Sequence, residues 1–176
     1  MKKCLSEKED RHEIILTALV LLSVYLSLGE TLIPKPFPWM KIGLANIATI
    51  IALEKYNSKM AIEISVLRVL IQGIMLGTVF TPSFIISFIS GITATAAMIA
   101  LYKFRDYFSL LAISIFSAFI HNSIQLIIVY FLLFRNIEVN SRGIYIFILI
   151  FLGLGVVAGA ITGLIVTKIK IRRVKK

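Results

Sequence analysis

The chain has 176 residues, 59% hydrophobic and only 16% charged, with a mean hydropathy of +0.94. Soluble domains carry about a quarter charged residues, so this composition excludes an ordinary soluble domain and points to one integral membrane domain. The net charge of +10 does not call for a nucleic-acid partner, because Lys and Arg collect in the cytoplasmic loops of membrane proteins; membrane lipid is the partner expected.

Residues 1–13 form a polar tail with Lys2, Lys3, Lys8 and Arg11. The apolar run behind it continues to about Ile33 with no small-x-small cleavage site, so it reads as a retained first span rather than a signal peptide. Cys4 is the one cysteine; it has no internal disulfide partner and no metal-ligand spacing. The membrane domain covers residues 14–167 and is predicted to be an all-α, six-helix bundle. Its first segment, about Ile14 to Ile33, is long enough to cross ~30 Å of hydrocarbon.

A loop rich in proline follows, Ile33 to Met40, holding Pro34, Pro36, Pro38 and the single tryptophan, Trp39. Then comes Lys41 to Thr49, opening the second segment, Ile42 to Leu53. Twelve helical residues span only about 18 Å, so this helix is either a short span lengthened by Glu54, Lys55 and Tyr56 or a partly re-entrant one. The third segment runs from about Lys59 to Thr78 after an Asn57-Ser58 turn signal. The fourth, Ser83 to Tyr102, is opened by Pro82 near its first turn. The fifth covers Tyr107 to Phe134. The sixth covers Ile144 to Thr167, and a basic tail, residues 168–176, ends the chain.

Six spans place both termini on one side. With that side cytoplasmic, fourteen Lys and Arg lie inside and four outside, the remaining one being Arg68 within a span. This is the distribution the positive-inside rule favours. It predicts a multi-pass protein of the bacterial cytoplasmic membrane with both termini cytoplasmic. The proline loop and the start of the short helix then face outside.

Ionisable and amide side chains inside a bilayer are costly, and they face the bundle interior or a watered cavity. Arg68 lies near the middle of the third segment with Gln72 one turn further out on the same face. His121, Asn122 and Gln125 lie in the fifth, Glu30 in the outer part of the first, Asn46 at the outer end of the second. Asn46, Arg68, Gln72, His121, Asn122 and Gln125 are therefore the candidate ligand-binding set, between the midplane and the outside. Pro36, Phe37, Trp39 and Lys41 are its candidate lid. Two readings are open for Arg68: an ion pair with Glu30, or a charge held for an anionic group of a ligand. Amides in membrane helices also serve simply to bond neighbouring helices, which is an equal reading for Asn122 and Gln125.

Gly155, Gly159 and Gly163 are spaced four apart in the sixth segment, and such small residues let another helix approach closely. The face suits either packing inside the bundle, the favoured reading, or a partner helix. Ser87, Gly91 and Thr95 form a weaker version in the fourth segment. No P-loop, Ser-His-Asp set or HExxH is present, and Asp10 and Asp106 are the only aspartates. An Asp-rich magnesium–diphosphate site is therefore excluded. No enzyme activity, cofactor or metal is expected.

With its IP-x-PFP loop, the K-x-GLAN-x-x-T of Lys41 to Thr49, Arg68 and the HN-x-x-Q of His121 to Gln125, the chain resembles, over nearly its whole length, the bacterial family catalogued as heptaprenyl diphosphate synthase component I, also called the Gx transporter family. That family is similar to the substrate-binding S components of energy-coupling-factor (ECF) transporters. The resemblance implies six spans, an outward pocket capped by the first loop, and partners in the form of an ECF transmembrane subunit with its ATPases. S components carry an Ala-x-x-x-Ala docking face on the first span; here Ala18 is followed by Leu22, and only Ser23 and Ser27 keep such a spacing. The implied role is capture of a small-molecule ligand for uptake. The alternatives are an accessory subunit of heptaprenyl diphosphate or quinone metabolism, and an anchor for a surface redox complex.

Overall fold

The computed structural model of the protein describes residues 2–32, 43–133 and 142–169. Within them the chain is all-helical, with no strand: α1 (Lys2–Leu32), α2 (Asn46–Lys55), α3 (Ser58–Met75), α4 (Pro82–Tyr102), α5 (Leu110–Leu133) and α6 (Arg142–Lys168). The candidate lid, Pro36, Phe37, Trp39 and Lys41, lies outside the described residues.

The six apolar segments are six helices, but they are not equivalent. Four are long and apolar enough to cross a membrane: Arg11–Leu32 of α1, all of α4, α5 through Leu132, and α6 from Gly143. Of the other two, α2 is almost wholly buried, whereas α3 buries one face and exposes Ile62, Leu67, Leu70 and Ile74 on the other. Helix α3 has 18 residues, among them Lys59, Glu63, Arg68 and Gln72. Helix α2 has 10 residues, about 15 Å, and eight of them are buried. Its Ala48 and Ala52 have no exposure at all, since a methyl-sized side chain lets α2 lie close against α1, α3 and α6. A short helix is tolerated at membrane depth because protein, not lipid, surrounds it.

Local signals set the ends. Asn57 caps α3, its Oδ1 accepting from the Met60 N–H at 2.7 Å. Gly77 closes α3 at φ +65°; the Thr78 N–H reaches the Gly73 carbonyl and the Gly77 N–H that of Ile74, a left-handed cap that a residue with a Cβ adopts only under strain. Thr81 caps α4 ahead of Pro82, whose missing N–H costs nothing at the first helical position. Helix α1 begins earlier than the apolar pattern, at Lys2, because Glu, Lys and Arg between residues 7 and 11 are good helix formers.

Helices α5 and α6 pack antiparallel through the glycine run. A Cβ on Gly159 would stand 2.8 Å from the Ala118 Cβ and the Ile115 Cα, and one on Gly163 2.9 Å from the Leu111 Cα. The Ser114 hydroxyl donates to the Gly159 carbonyl at 2.8 Å. Of the two readings open for Gly155, Gly159 and Gly163, packing inside the bundle is the one seen: α5 of the same chain fills that face, where a partner helix was the alternative. Helix α4 joins α5 through Ser117, which donates to the Ala94 carbonyl. It joins α3 where Thr95, Ser65 and the Gly91 carbonyl form a hydroxyl chain. The apolar core runs from Val20 and Val24 through Ile50 and Leu53 to Met60, Ile64, Met98 and Ile113. Outward faces carry exposed Leu21, Tyr25, Phe131, Leu149 and Leu164, the side chains lipid tails cover in a membrane-embedded protein.

Candidate functional site

On α1, Ser23, Ser27 and Glu30 share one buried stripe, as residues three and four apart must. Ser23 donates to the Ala45 carbonyl, and Ser27 donates to Gln72 Oε1 at 2.7 Å. These serines face the bundle interior, so their small-residue spacing offers nothing to an outside partner; Ala18 is exposed instead.

Gly43, at φ +94°, permits the turn into α2. That turn aims the Leu44 N–H at the Glu30 carboxylate, which accepts it. One turn on, Asn46 Oδ1 accepts from Arg68 Nη1 at 3.2 Å. The Glu30 charge also acts on the Arg68 guanidinium through space. Glu30 is 2% and Arg68 6% exposed, so their mutual attraction is little screened by solvent. Arg68 lies over Gly91 of α4, with Nη2 3.6 Å from where a Cβ would stand.

Glu30, Asn46, Arg68 and His121 thus line one small chamber with Ser27 and Ser87, of about 10 Å³, the room of one water. It adjoins a larger, half-open cavity of about 310 Å³ between α1, α3 and α4, and the two share Ser27, Val69 and Ser87. Gln72 stands in the larger one with Thr31, Thr78, Thr81 and Ser83. Its volume lies at the lower end for small-molecule sites.

Five of the elements therefore meet at one polar level. Of the six candidate ligand residues, Asn46, Arg68 and His121 share the small chamber, and Gln72 lines its extension. Asn122 is turned away: its Nδ2 donates to the Phe151 carbonyl of α6 at 3.0 Å, and it packs on Gly155, whose Cβ would meet that nitrogen at 2.4 Å. It bonds helices rather than lining the cavity. Gln125 is fully buried, one turn from His121, and lines neither chamber. The hydroxyls of Ser27, Thr31, Thr81, Ser83 and Ser87 were not foreseen as site residues. Their signal was present in part, since Ser27 lies one turn from Glu30 and Ser87 four residues from Ser83. Among the described residues no three His, Cys, Asp or Glu side chains are placed to hold a metal ion.

An all-helical, membrane-embedded protein with a buried polar site beside a small-molecule-sized cavity is the class these features define. The chain belongs to the heptaprenyl diphosphate synthase component I family, whose model matches residues 19–169. No curated protein and no solved structure matches it significantly.

Proposed function

We propose that this chain is a membrane-embedded binding subunit that captures a small molecule from the outer side and depends on partner subunits for energy. The observation that carries the reading is the junction of the two chambers. Buried polar groups are expensive in a membrane, and here they come from five helices to border a cavity rather than being replaced by apolar packing. The Lys and Arg distribution supports an orientation with both termini cytoplasmic and the cavity in the outer half. The resemblance to ECF S components supplies the partners: a transmembrane subunit and ATPases. No P-loop is present to drive transport by this chain alone.

The experiment is mass spectrometry of whatever co-purifies with the protein from its native membrane, joined to uptake of that molecule by cells with and without ECF partners. A bound molecule, taken up only with the partners, is the expected result. Protein that carries nothing and supports no uptake overturns the proposal. The family's name favours a second reading, an accessory membrane subunit of prenyl diphosphate synthesis. Co-purification of a prenyl synthase subunit, with synthase activity dependent on this chain, would establish that reading instead.

A further inference from the structure

We propose that Gly73 and Phe84 are the specificity-determining pair of the cavity between α1, α3 and α4. The Phe84 ring, seated on the bare backbone of Gly73, is the wall that sets the width of the molecule admitted. The absent Cβ of Gly73 is what keeps that ring out of the space. This rests on the binding reading above and names the residues that limit its ligand by size.

Both residues line the cavity, and Gly73 is buried. Their contact is closer than a Cβ permits: one built on Gly73 would stand 2.7 Å from Phe84 Cδ2 and 2.8 Å from Cε2. One edge of the ring therefore lies directly on the α3 backbone, an approach that a small residue allows and a larger one blocks. With Val69 and Leu76, Phe84 makes the apolar side of the cavity, facing the hydroxyls of Ser27 and Thr31 on α1.

The ring has few other places to go. The first turn of α4 is held, since the Phe84 N–H is shared between the Thr81 hydroxyl and carbonyl. The Thr78 N–H ties the same connection to the Gly73 carbonyl at 2.8 Å. A Val79 methyl stands 3.4 Å from where a Gly73 Cβ would be. The Phe88 ring stacks on Phe84, with centroids 5.8 Å and planes 19° apart. A methyl on residue 73 thus drives the Phe84 ring off α3, and the open space beside the ring is the cavity. At about 310 Å³ that cavity is already at the lower end for small-molecule sites, so a displaced ring closes it. Removal of the ring does the reverse and admits a wider molecule.

The test uses the full chain carrying Cys4→Ser and Ser87→Cys, purified in detergent. Ser87 is 5% exposed and lines both chambers, so a thiol there is reached through the cavity. Three further chains add Gly73→Ala, Phe84→Ala, or both. Labelling is followed with N-ethylmaleimide and with the bulkier N-cyclohexylmaleimide, both uncharged. Gly73→Ala is expected to slow N-ethylmaleimide about tenfold, the factor that about 1.4 kcal/mol of added barrier gives. Phe84→Ala is expected to speed N-cyclohexylmaleimide relative to N-ethylmaleimide by a similar factor. The double variant is expected to label like Phe84→Ala, because the added methyl then has no ring to displace; it also serves if Gly73→Ala alone does not fold. Labelling of Gly73→Ala at the parent's rate overturns the proposal. So does an unchanged ratio of the two reagents in Phe84→Ala, a double variant as slow as Gly73→Ala, or a thiol that reacts in none of the four chains. The two readings fail separately. A molecule that co-purifies equally with the parent and with Gly73→Ala keeps the binding role and overturns the size filter; the expected labelling with no co-purifying molecule overturns the binding role alone.

Discussion

Glu30 and Arg68 allow the two roles of the arginine to be separated. If Arg68 is held chiefly by the protein, Arg68→Gln takes a cation out of the chamber it shares with the Glu30 carboxylate and removes the donor to Asn46 Oδ1. Both groups are almost fully buried in one chamber, and if they act as a buried ion pair, removing one partner costs about 3–5 kcal/mol. Glu30→Gln keeps an amide oxygen for the Leu44 N–H but leaves Arg68 uncompensated, so a loss of similar size is expected. The double variant removes both charges together. Its loss is then expected to fall short of the sum of the singles by about 1–3 kcal/mol, the range for coupled neighbours. Reversible SDS-induced unfolding in mixed micelles, followed by helical circular dichroism, reads all four proteins. Losses that add to within about 0.5 kcal/mol would refute the coupling. A stably folded Arg68→Gln protein that no longer carries its co-purifying molecule would move Arg68 to the ligand.

Three further outcomes are expected. Gly159→Ala brings a methyl to 2.8 Å from the α5 backbone, forcing the α5–α6 pair apart and costing about 1–3 kcal/mol; Gly153→Ala, with nothing within 4 Å, costs nothing or stabilises, and equal unfolding midpoints for the two would contradict the packing described. Asn57→Ala removes the α3 cap and is expected to cost about 1 kcal/mol in the same unfolding measurement, with Asn57→Ser largely restoring it. Arg105→Gln removes the cation 3.5 Å from buried Glu54 at the far end of α2. Because Arg105 is part-exposed, a loss of only about 1–2 kcal/mol is expected, and Glu54→Gln in that background should recover part of it; no recovery would count against the pair.

The helices were legible because their signals are local. Apolar runs, Asn57, Thr81-Pro82 and the charged turn after Tyr102 are read within a few residues of where they act. The long apolar pattern concealed one distinction. Helix α2 looked like a poor span, and it is one because other helices, rather than lipid, cover it; α3 read as a span, and it carries Lys59, Glu63 and Arg68 along a helix whose outer face exposes Ile62, Leu67 and Ile74. The site was half legible. Arg68, Asn46 and His121 stood out because charge and amide groups are rare in such segments, and they do meet at one chamber. Asn122 carried the same signal, yet it bonds α6, since adjacent residues on a helix point about 100° apart and only the packing tells which one faces the cavity.

The sequence by itself determined membrane residence, the six helices and the presence of a buried cationic centre, each through composition or period. The tertiary structure alone decided the remaining questions. It directs the glycine run of α6 to α5, because close backbone approach depends on which helix is neighbour. It turns Ser23 and Ser27 inward, where hydroxyls satisfy Ala45 and Gln72. It brings Arg68 to Asn46 and into one chamber with Glu30, three side chains distant in the chain that meet only when α1, α2 and α3 pack together. The larger cavity is then lined by hydroxyls and the Gln72 amide rather than by the cation that the sequence made most conspicuous.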